Sequence, residues 1–458
     1  MTFWTWDRVA DALQPFARVN LPRGPQPFVR VWTDTRTIAR GDLFVALVGE
    51  RFDAHDFLQQ AVTSGAAGLV VSRPEGTRGL GVPVYEIPDT LMALGALGRY
   101  RRCVWAKPVV GVVGTNGKTS TKELLKAALG SALATHATHG NLNNLVGVPL
   151  TLLAIPDDAD VAVIEMGTNQ PGEVARLRAV VEPNVTVVTS IAEEHLEGLG
   201  DLTGVMREEL AACDGVATAV VPASQPDVVD EAAKRARRVI AAGLDEGDLR
   251  ADRWTLDTDG SGRVTVDGVD VHVPLRGIHN LRNAMLALAV ARELGVPLER
   301  AARGIGAMPL PPMRSNVEQI GRATLVNDAY NSNPGSARAA LELLQHTGRG
   351  RQRVAVLGTM LELGPSGPAL HEALAREALA SPIELLAGLG EFANAFSRAA
   401  GGSARERVVT ADDVESLWNR LSSRLEPDAV ILLKASRGVR LEQLVPKIKN
   451  WATASGAG

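Results

Sequence analysis

Cysteine is almost missing from this chain of 458 residues, and the two present, Cys103 and Cys213, stand far apart. That spacing supports neither a disulfide framework nor a thiolate metal site. Aromatic residues are scarce too, at 4% of the chain with three tyrosines. No apolar run reaches the roughly 20 residues that a bilayer-spanning helix needs. The opening MTFWTWDRVADAL has no basic segment followed by an apolar one, so it does not read as a secretory leader. An excess of one charge is also lacking: 48 Lys and Arg stand against 52 Asp and Glu, a formal net charge of −4. This balance speaks against a dedicated nucleic-acid binder or a membrane-surface protein. The histidines show no metal-ligand spacing, so zinc is not expected. The expectation is a cytoplasmic protein with no nucleic-acid partner and no membrane insertion. No internal repeat is present, and the small-residue tail Ala452–Gly458 is expected to fray.

What is present is ordinary globular chemistry, with 45% hydrophobic and 22% charged residues over a length that suits about three domains. One stretch organises the rest: VVGVVGTNGKTSTKELL, residues 109–125. Its β-branched start reads as a buried strand ending at Val113. A turn at Gly114, Thr115, Asn116 and Gly117 follows, and Lys118 and Thr119 open a helix. Such a turn cradles phosphate, because glycines let backbone N–H groups close around the oxygens at a helix N-terminus. Lys118 adds a mobile cation, and the Thr119 hydroxyl is placed to ligate Mg²⁺. The strict spacing G-x-x-x-x-G-K-[ST] would put a glycine where Val112 stands; here the glycines fall at 111, 114 and 117. The residues point to a nucleoside triphosphate site.

The remaining pattern is α/β throughout. Residues 1–106 read as a small α/β unit with strands at Phe28–Trp32, Leu43–Leu47, GLVVS and VPVYEI, and a helix at TLMALGALGRYRRCVW. Trp4, Trp6 and Trp32 read as core residues rather than a ligand-stacking set. Residues 107–310 alternate strand and helix, with VAVIEMG, VTVVTSI, ATAVVP and RVIAAG as strands buried on both faces. This predicts a doubly wound, mostly parallel sheet with ligands at the carboxyl ends of its strands. Residues 254–273 alternate apolar and polar around DGSG and DG, as an antiparallel hairpin insert does. The Pro309–Pro312 run reads as a stiff hinge, and residues 311–458 as a second, Rossmann-like domain.

Several polar residues stand at expected strand ends. Glu165 closes VAVIE, where a carboxylate suits Mg²⁺ beside a γ-phosphate. His195 follows VTVVTSI; imidazole is an unusual Mg²⁺ ligand, so spacing alone leaves it a loop histidine. Asn141 and Asn144 lie in an asparagine-rich stretch that either binds a ligand or builds Asx turns. Arg314, Asp328 and Asn331 open the third domain, and Lys434 and Arg437 end its last strand; these groups suit a clamp on ATP or a carboxylate.

In order, GTNGKTSTKELL, THGNLNNLVGVPLTLL, EMGTNQPGE, HLEGLG, GIHNLRNAMLALAVA, NDAYNSNP, VLGTMLELG and LLKASR resemble the Mur ligases. The resemblance extends to TRTIARGDLFVALVGERFDAHDF near the amino terminus and so covers nearly the whole chain. It implies three domains: a UDP-sugar domain, a central P-loop domain and a closing Rossmann-like domain. It implies an activity that joins D-alanyl-D-alanine to UDP-MurNAc-tripeptide (the UDP-N-acetylmuramoyl-tripeptide) through an acyl phosphate, using ATP and Mg²⁺, in a monomeric enzyme. By the same resemblance Lys118 and Thr119 serve phosphate and Mg²⁺, Glu165 serves Mg²⁺, and His195 a second Mg²⁺. Asn280 and Asn283 match positions near adenine, Arg314 and Asp328 the closing domain's share of ATP, Thr35 and Arg36 the uridine side, and Asn141 and Asn144 the muramoyl-peptide side. The family's signature also admits a ligase adding another amino acid, and a nucleotide-gated binding protein without turnover. Amine-dependent phosphate release separates these readings.

There are departures. Where the family has a lysine that becomes carbamylated and helps hold Mg²⁺, the run here is Val205-Met206-Arg207-Glu208-Glu209. An arginine stays protonated and cannot take that role. Either Glu208 or Glu209 is then the replacement oxygen ligand, or both acids face solvent and water completes the metal shell. Thr359 stands for a common Asp, and Ala435 for a common Gly.

Overall fold

The computed structural model describes residues 2–310 and 316–455. Arg314 and the Pro311–Pro312 half of the expected hinge lie outside them.

One six-stranded sheet runs in the order Val239–Ala242, Thr218–Pro222, Val185–Val188, Val109–Val113, Val161–Glu165, Thr135–Ala137. The four middle strands are buried at every residue, which is why their sequences are mostly apolar rather than alternating, with Thr186, Thr218 and Glu165 as the buried polar exceptions. By packing, the chain divides into two compact units: residues 1–111, 133–168 and 172–185, and residues 112–132, 169–171 and 186–458.

In the first unit a parallel sheet orders Val31–Trp32, Leu43–Val45, Gly68–Val71 and Val84–Glu86. The helix Thr90–Trp105 covers it, started by the Asp89 carboxylate accepting the N–H groups of Leu91 and Met92. Trp4 is buried in the core with Phe28, Tyr85 and Leu97, and Trp6 packs against it. The run Phe28–Trp32, expected as one strand, is two. Pro27–Phe28 pairs antiparallel with Trp4–Thr5, whereas Val31–Trp32 joins the parallel sheet. The break falls where the Val29 side chain is exposed and Arg30 turns to an ion pair with the buried Asp42 at 3.0 Å.

In the second unit a six-stranded sheet orders Asn316–Ile320, Ala323–Asp328, Val430–Lys434, Arg353–Gly358, Leu385–Leu389 and Val408–Ala411. Its first pair is an antiparallel hairpin and all other pairs are parallel. The expected insert is a three-stranded antiparallel meander over Arg253–Leu256, Gly262–Val266 and Val269–Val273. Of the tail expected to fray, residues 452–455 instead continue helix Leu444–Ser455, where Ile448 and Ala452, one turn apart, are both buried; residues 456–458 lie outside the described residues. Among the described residues no helix is long and apolar enough to cross a membrane.

Candidate functional site

The strand Val109–Val113 delivers the chain into a loop that only glycine can form. Gly114 has φ +116°, and a Cβ there would lie 2.5 Å from the Thr189 hydroxyl oxygen. Gly117 has φ +86° and caps helix Lys118–Gly130; its Cβ would lie 2.8 Å from the Asn283 amide nitrogen. The loop is held from behind by residues far away in sequence. The Thr115 N–H donates to the Ser190 carbonyl at 2.7 Å, and the Asn116 N–H to the Ser190 hydroxyl at 3.2 Å. The Gly114 N–H donates to Oε2 of Glu209 at 2.8 Å. Thr119 is the second residue of that helix.

Lys118 bends back onto its own loop. Its Nζ donates to the carbonyls of Gly114 at 2.5 Å and Thr115 at 3.2 Å, and lies 3.9 Å from Oε2 of Glu194. The Asn331 amide donates to the other oxygen of Glu194 at 3.0 Å. Next to it, His195 takes φ +52° as the cap of helix Leu196–Leu199, and its Nδ1 is hydrogen-bonded to the Glu362 carboxylate. The Glu197 N–H donates to the Glu362 carbonyl at 3.2 Å.

The strand ends of the third sheet meet this cluster. Asn116 and Asn333 exchange side-chain amide hydrogen bonds at 3.1 and 2.9 Å. Asn333 also caps helix Pro334–Thr347 in a capping box with Ser336. Lys434 is buried, pairs with Asp328 at 2.9 Å, and donates to the Asn331 carbonyl. Arg437 is exposed, with its guanidinium 5.5 Å from the Tyr330 ring centre. The loop carrying Glu362 is pinned by His371, whose Nε2 accepts the Met360 N–H at 2.8 Å while its Nδ1 faces the Gly367 carbonyl at 2.7 Å. Burial pushes this imidazole's pKa down, which keeps it neutral. The two departures in this region fit sterically. The Ala435 methyl packs where a Cβ on Gly358 would come within 2.8 Å, and the Thr359 hydroxyl accepts the Glu391 N–H at 3.0 Å.

Asn280 and Asn283 line the Gly117 side: the Asn283 amide donates to Asn280 at 3.1 Å, and the Asn280 amide to the Arg276 carbonyl at 2.8 Å. Between Arg276 and Asn280, burial drives the His279 pKa down to about 4, with Asp328 opposing the shift and Lys434 and Arg282 adding to it.

The other expected residues belong to the first unit. Glu165 is buried at its strand end and accepts from the Asn143 amide at 2.9 Å. Asn144 turns its oxygen onto the N–H groups of Val146 and Gly147 at 3.1 and 2.8 Å, and Asn141 is exposed. Thr35 and Arg36 sit in a short turn, Thr35–Thr37, where the Asp34 carboxylate accepts from the backbone and side chain of Arg36. Those hydrogen bonds bring the Asp34 pKa down to about 2.

Of the expected residues, Lys118, His195, Asp328, Asn331 and Lys434 thus join one contact network in the second unit, with Asn280 and Asn283 on its Gly117 side. Glu194, Asn333, Glu362 and His279 belong to this network and were not singled out in the sequence. Asn333 before Pro334 is a readable helix cap, whereas nothing local marks Glu362. Arg207 is exposed, and Glu208 and Glu209 are both buried, so a solvated face for the two acids is excluded. Among the described residues no group of three or more His, Cys, Asp or Glu is arranged to hold a metal.

A phosphate loop gripped by loops of a following α/β sheet has close counterparts. The Mur ligase middle domain family model matches residues 112–291, and the Mur ligase, glutamate ligase domain model matches residues 313–437. The UDP-N-acetylmuramoyl-tripeptide–D-alanyl-D-alanine ligase of Synechocystis sp. is 34% identical over 423 residues, 91% of each chain. The Escherichia coli enzyme of that name is 34% identical over 435 residues, covering 92% of this chain and 94% of its own. In structure, MurF from Acinetobacter baumannii superposes with a TM-score of 0.88 at 29% identity, over 98% of this chain and 99% of that one. MurF from Thermotoga maritima, solved in complex with ADP, gives 0.81 at 26% identity over 92% and 97%. Similarity at this level over more than nine-tenths of the chain places it in the Mur ligase family.

Proposed function

We propose that this protein is an ATP-dependent ligase joining D-alanyl-D-alanine to UDP-N-acetylmuramoyl-tripeptide, a cytoplasmic step in making peptidoglycan precursors. The observation that carries the reading is Lys118, seated on a glycine-shaped phosphate loop and ringed by the 328–333 and 194–195 loops, in a chain similar over its whole length to enzymes of that name.

A carboxylate is a poor acyl donor at neutral pH, so the first step installs a leaving group. The tripeptide's terminal carboxylate attacks the ATP γ-phosphorus, ADP leaves, and an acyl phosphate forms. The dipeptide's amine then displaces inorganic phosphate and loses a proton as the amide forms. Lys118 exchanges the Gly114 and Thr115 carbonyls for phosphate oxygens and stabilises the charge that builds during transfer. Asn280 and Asn283 border the adenine side. Asp328, held by Lys434, and Arg314 complete the nucleotide site, while Asn331, Lys434 and Arg437 orient the incoming dipeptide. Thr35 and Arg36 serve the uridine end, and Asn141 and Asn144 the muramoyl-peptide end.

Thr119, Glu165 and His195 are the groups that would hold Mg²⁺, which neutralises phosphate charge when bound. The fit rests on donor chemistry alone, Thr119 and Glu165 offering hard oxygens; for His195, Nδ1 is engaged by Glu362, so Nε2 is the nitrogen left for a metal. Residues 1–106, 107–310 and 311–458 act as UDP-sugar, ATP and closing domains, with Pro309–Pro312 as hinge, in a monomer. Small-angle scattering with both ligands bound should show compaction; an unchanged radius would refute the hinge.

The test is phosphate release with UDP-MurNAc-tripeptide, ATP and a panel of amines. Release that depends on D-alanyl-D-alanine supports the reading. Release driven by a single amino acid, or none with any amine, overturns it.

A further inference from the structure

The antiparallel insert has no part in the chemistry described so far, yet one of its turns stands between the closing domain and the phosphate loop. Turn 257–261 joins strands Arg253–Leu256 and Gly262–Val266. Its shape is fixed internally. The Gly260 N–H donates to the Asp257 carbonyl at 2.8 Å, and the Asp257 N–H to the Ser261 carbonyl at 2.7 Å. The Ser261 hydroxyl donates to the Asp259 carboxylate at 2.6 Å.

On one side this turn meets the end of helix Pro334–Thr347. His346 Nε2 donates to the Asp257 carbonyl at 2.8 Å; a carbonyl only accepts, so Nε2 carries the proton. Gly260 has φ +84°, and a Cβ there would lie 2.6 Å from Leu343 Cδ1 and 3.1 Å from Thr347 Cγ2. On its other side the turn holds the adenine-side residues. The Gly277 N–H donates to the Gly260 carbonyl at 2.8 Å, and Arg276 Nε to the Asp259 carbonyl at 3.1 Å. The Asn280 N–H and amide then donate to the Gly277 and Arg276 carbonyls at 3.0 and 2.8 Å. Asn283 is bonded to Asn280 and lies against Gly117. The same helix starts at Asn333, whose amide is paired with Asn116 of the phosphate loop. One helix of 14 residues, about 21 Å long, thus reaches the loop directly at one end and through the insert at the other.

We propose that His346 is a positioning residue of the nucleotide site: through turn 257–261 it seats Asn280 and Asn283 beside Gly117, and the insert is the strut that transmits its hold. This rests on the nucleotide reading given above. Without the His346 donor the turn loses its tie to the helix, and the carbonyls that orient Asn280 loosen with it. The grip on phosphate is separate, because Ser190 and Glu209 fix the loop backbone.

The experiment measures binding to the full-length protein by calorimetry with excess Mg²⁺, once with ATP and once with inorganic tripolyphosphate, which lacks the adenine. Turnover gives kcat and KM for ATP alongside. In His346→Ala, ATP affinity should fall about three- to tenfold, the loss that one hydrogen bond carries, with tripolyphosphate affinity within about twofold of the parent. KM for ATP should rise by the same factor and kcat should hold, as expected when binding is lost but not transition-state contacts. His346→Gln, whose amide can donate to the same carbonyl, should restore the parental values. Arg276→Met cuts the turn from the Asn280 side and should repeat the alanine pattern, which keeps the test open if His346→Ala does not fold. Parental ATP affinity in either folded variant, or an equal loss for tripolyphosphate, overturns the proposal and leaves the nucleotide site standing. No ATP binding by the folded parent overturns the nucleotide reading itself.

Discussion

The phosphate loop, Gly114–Thr119, and the asparagine loop, Gly140–Asn144, look alike in sequence: each is short, opens on glycine, carries asparagine and is set just after a strand. Their polar groups go to different places. In the phosphate loop the backbone is held by Ser190 and Glu209, 74 or more residues away, and Lys118 rests on carbonyls that ligand oxygens can replace. In the asparagine loop Asn144 satisfies Val146 and Gly147, and the Asn143 N–H donates to the Asn141 carbonyl. Only Asn143 reaches far, to Glu165. Amide density alone therefore does not say which groups are left for a ligand. The phosphate loop is fixed from outside and leaves a cation on exchangeable partners; the asparagine loop leaves only what its own turns do not use.

The largest expected effect tests that contrast directly. Lys118→Ala should cut phosphate release on the order of 10³-fold, the loss expected when a transition-state cation goes. The variant should still fold but melt several degrees below the parent, because the buried Glu194 carboxylate loses the ammonium 3.9 Å away. Turnover within tenfold of the parent, in a folded variant, would mean the resting lysine is only a structural clip.

Why the sequence reveals one part and hides another follows from range. The strand, the two required glycines and the lysine of the phosphate loop lie within a dozen residues, so their chemistry is readable without a fold. The helix Thr90–Trp105 is likewise written locally, with Asp89 before it and apolar residues at helical spacing. The Glu209–Gly114 and Asn116–Asn333 contacts join residues 95 and 217 positions apart, and neither partner carries a local sign of the other. The broken strand at Phe28–Trp32 was hidden for the same reason: β-propensity cannot say that two halves serve different sheets. Resemblance supplied what range withheld for Asp328 and His195, and it was silent on Glu194.

Next in size is a pH effect confined to the phosphate-loop side, since the amides of the asparagine loop do not titrate. His279 has its pKa pushed down to about 4 by burial. The folded state thus prefers the neutral ring more than the unfolded chain does. The stabilisation is complete above the unfolded value near 6.5 and is lost as pH falls from there towards 4. For a half-buried ring this amounts to about 2 kcal/mol. Denaturant titrations at pH 7.5, 6 and 5 should show the loss, and His279→Gln should flatten it. An equal slope in parent and variant would assign the acid sensitivity elsewhere.

Smaller again is the amide pair that ties the phosphate loop to the cap of helix Pro334–Thr347. Asn116→Ala and Asn333→Ala should each cost about 1–2 kcal/mol, the second more because the cap is lost too. In a double-mutant cycle the coupling should be about 1 kcal/mol. Both variants should raise KM for ATP, since each frees the loop tip. Simple additivity would show that the two amides are neighbours without energetic contact.

The smallest effect bears on the other half of the contrast. Asn144 accepts two backbone N–H groups at the start of helix Gly147–Leu153, so its oxygen is already in use as a cap. Asn144→Ala should cost about 1 kcal/mol of stability, and Asn144→Asp, which keeps the acceptor, should cost little. The resemblance gives the same residue to the muramoyl-peptide side, where its exposed amide NH₂ is the group left to meet a ligand. The aspartate variant separates these roles, because it keeps the cap and removes the donor. If KM for UDP-MurNAc-tripeptide is unchanged in Asn144→Asp, the loop is closed on itself and the contrast with the phosphate loop stands. A tenfold rise at parental stability would show that a locally satisfied asparagine still spends its second hydrogen-bonding group on substrate.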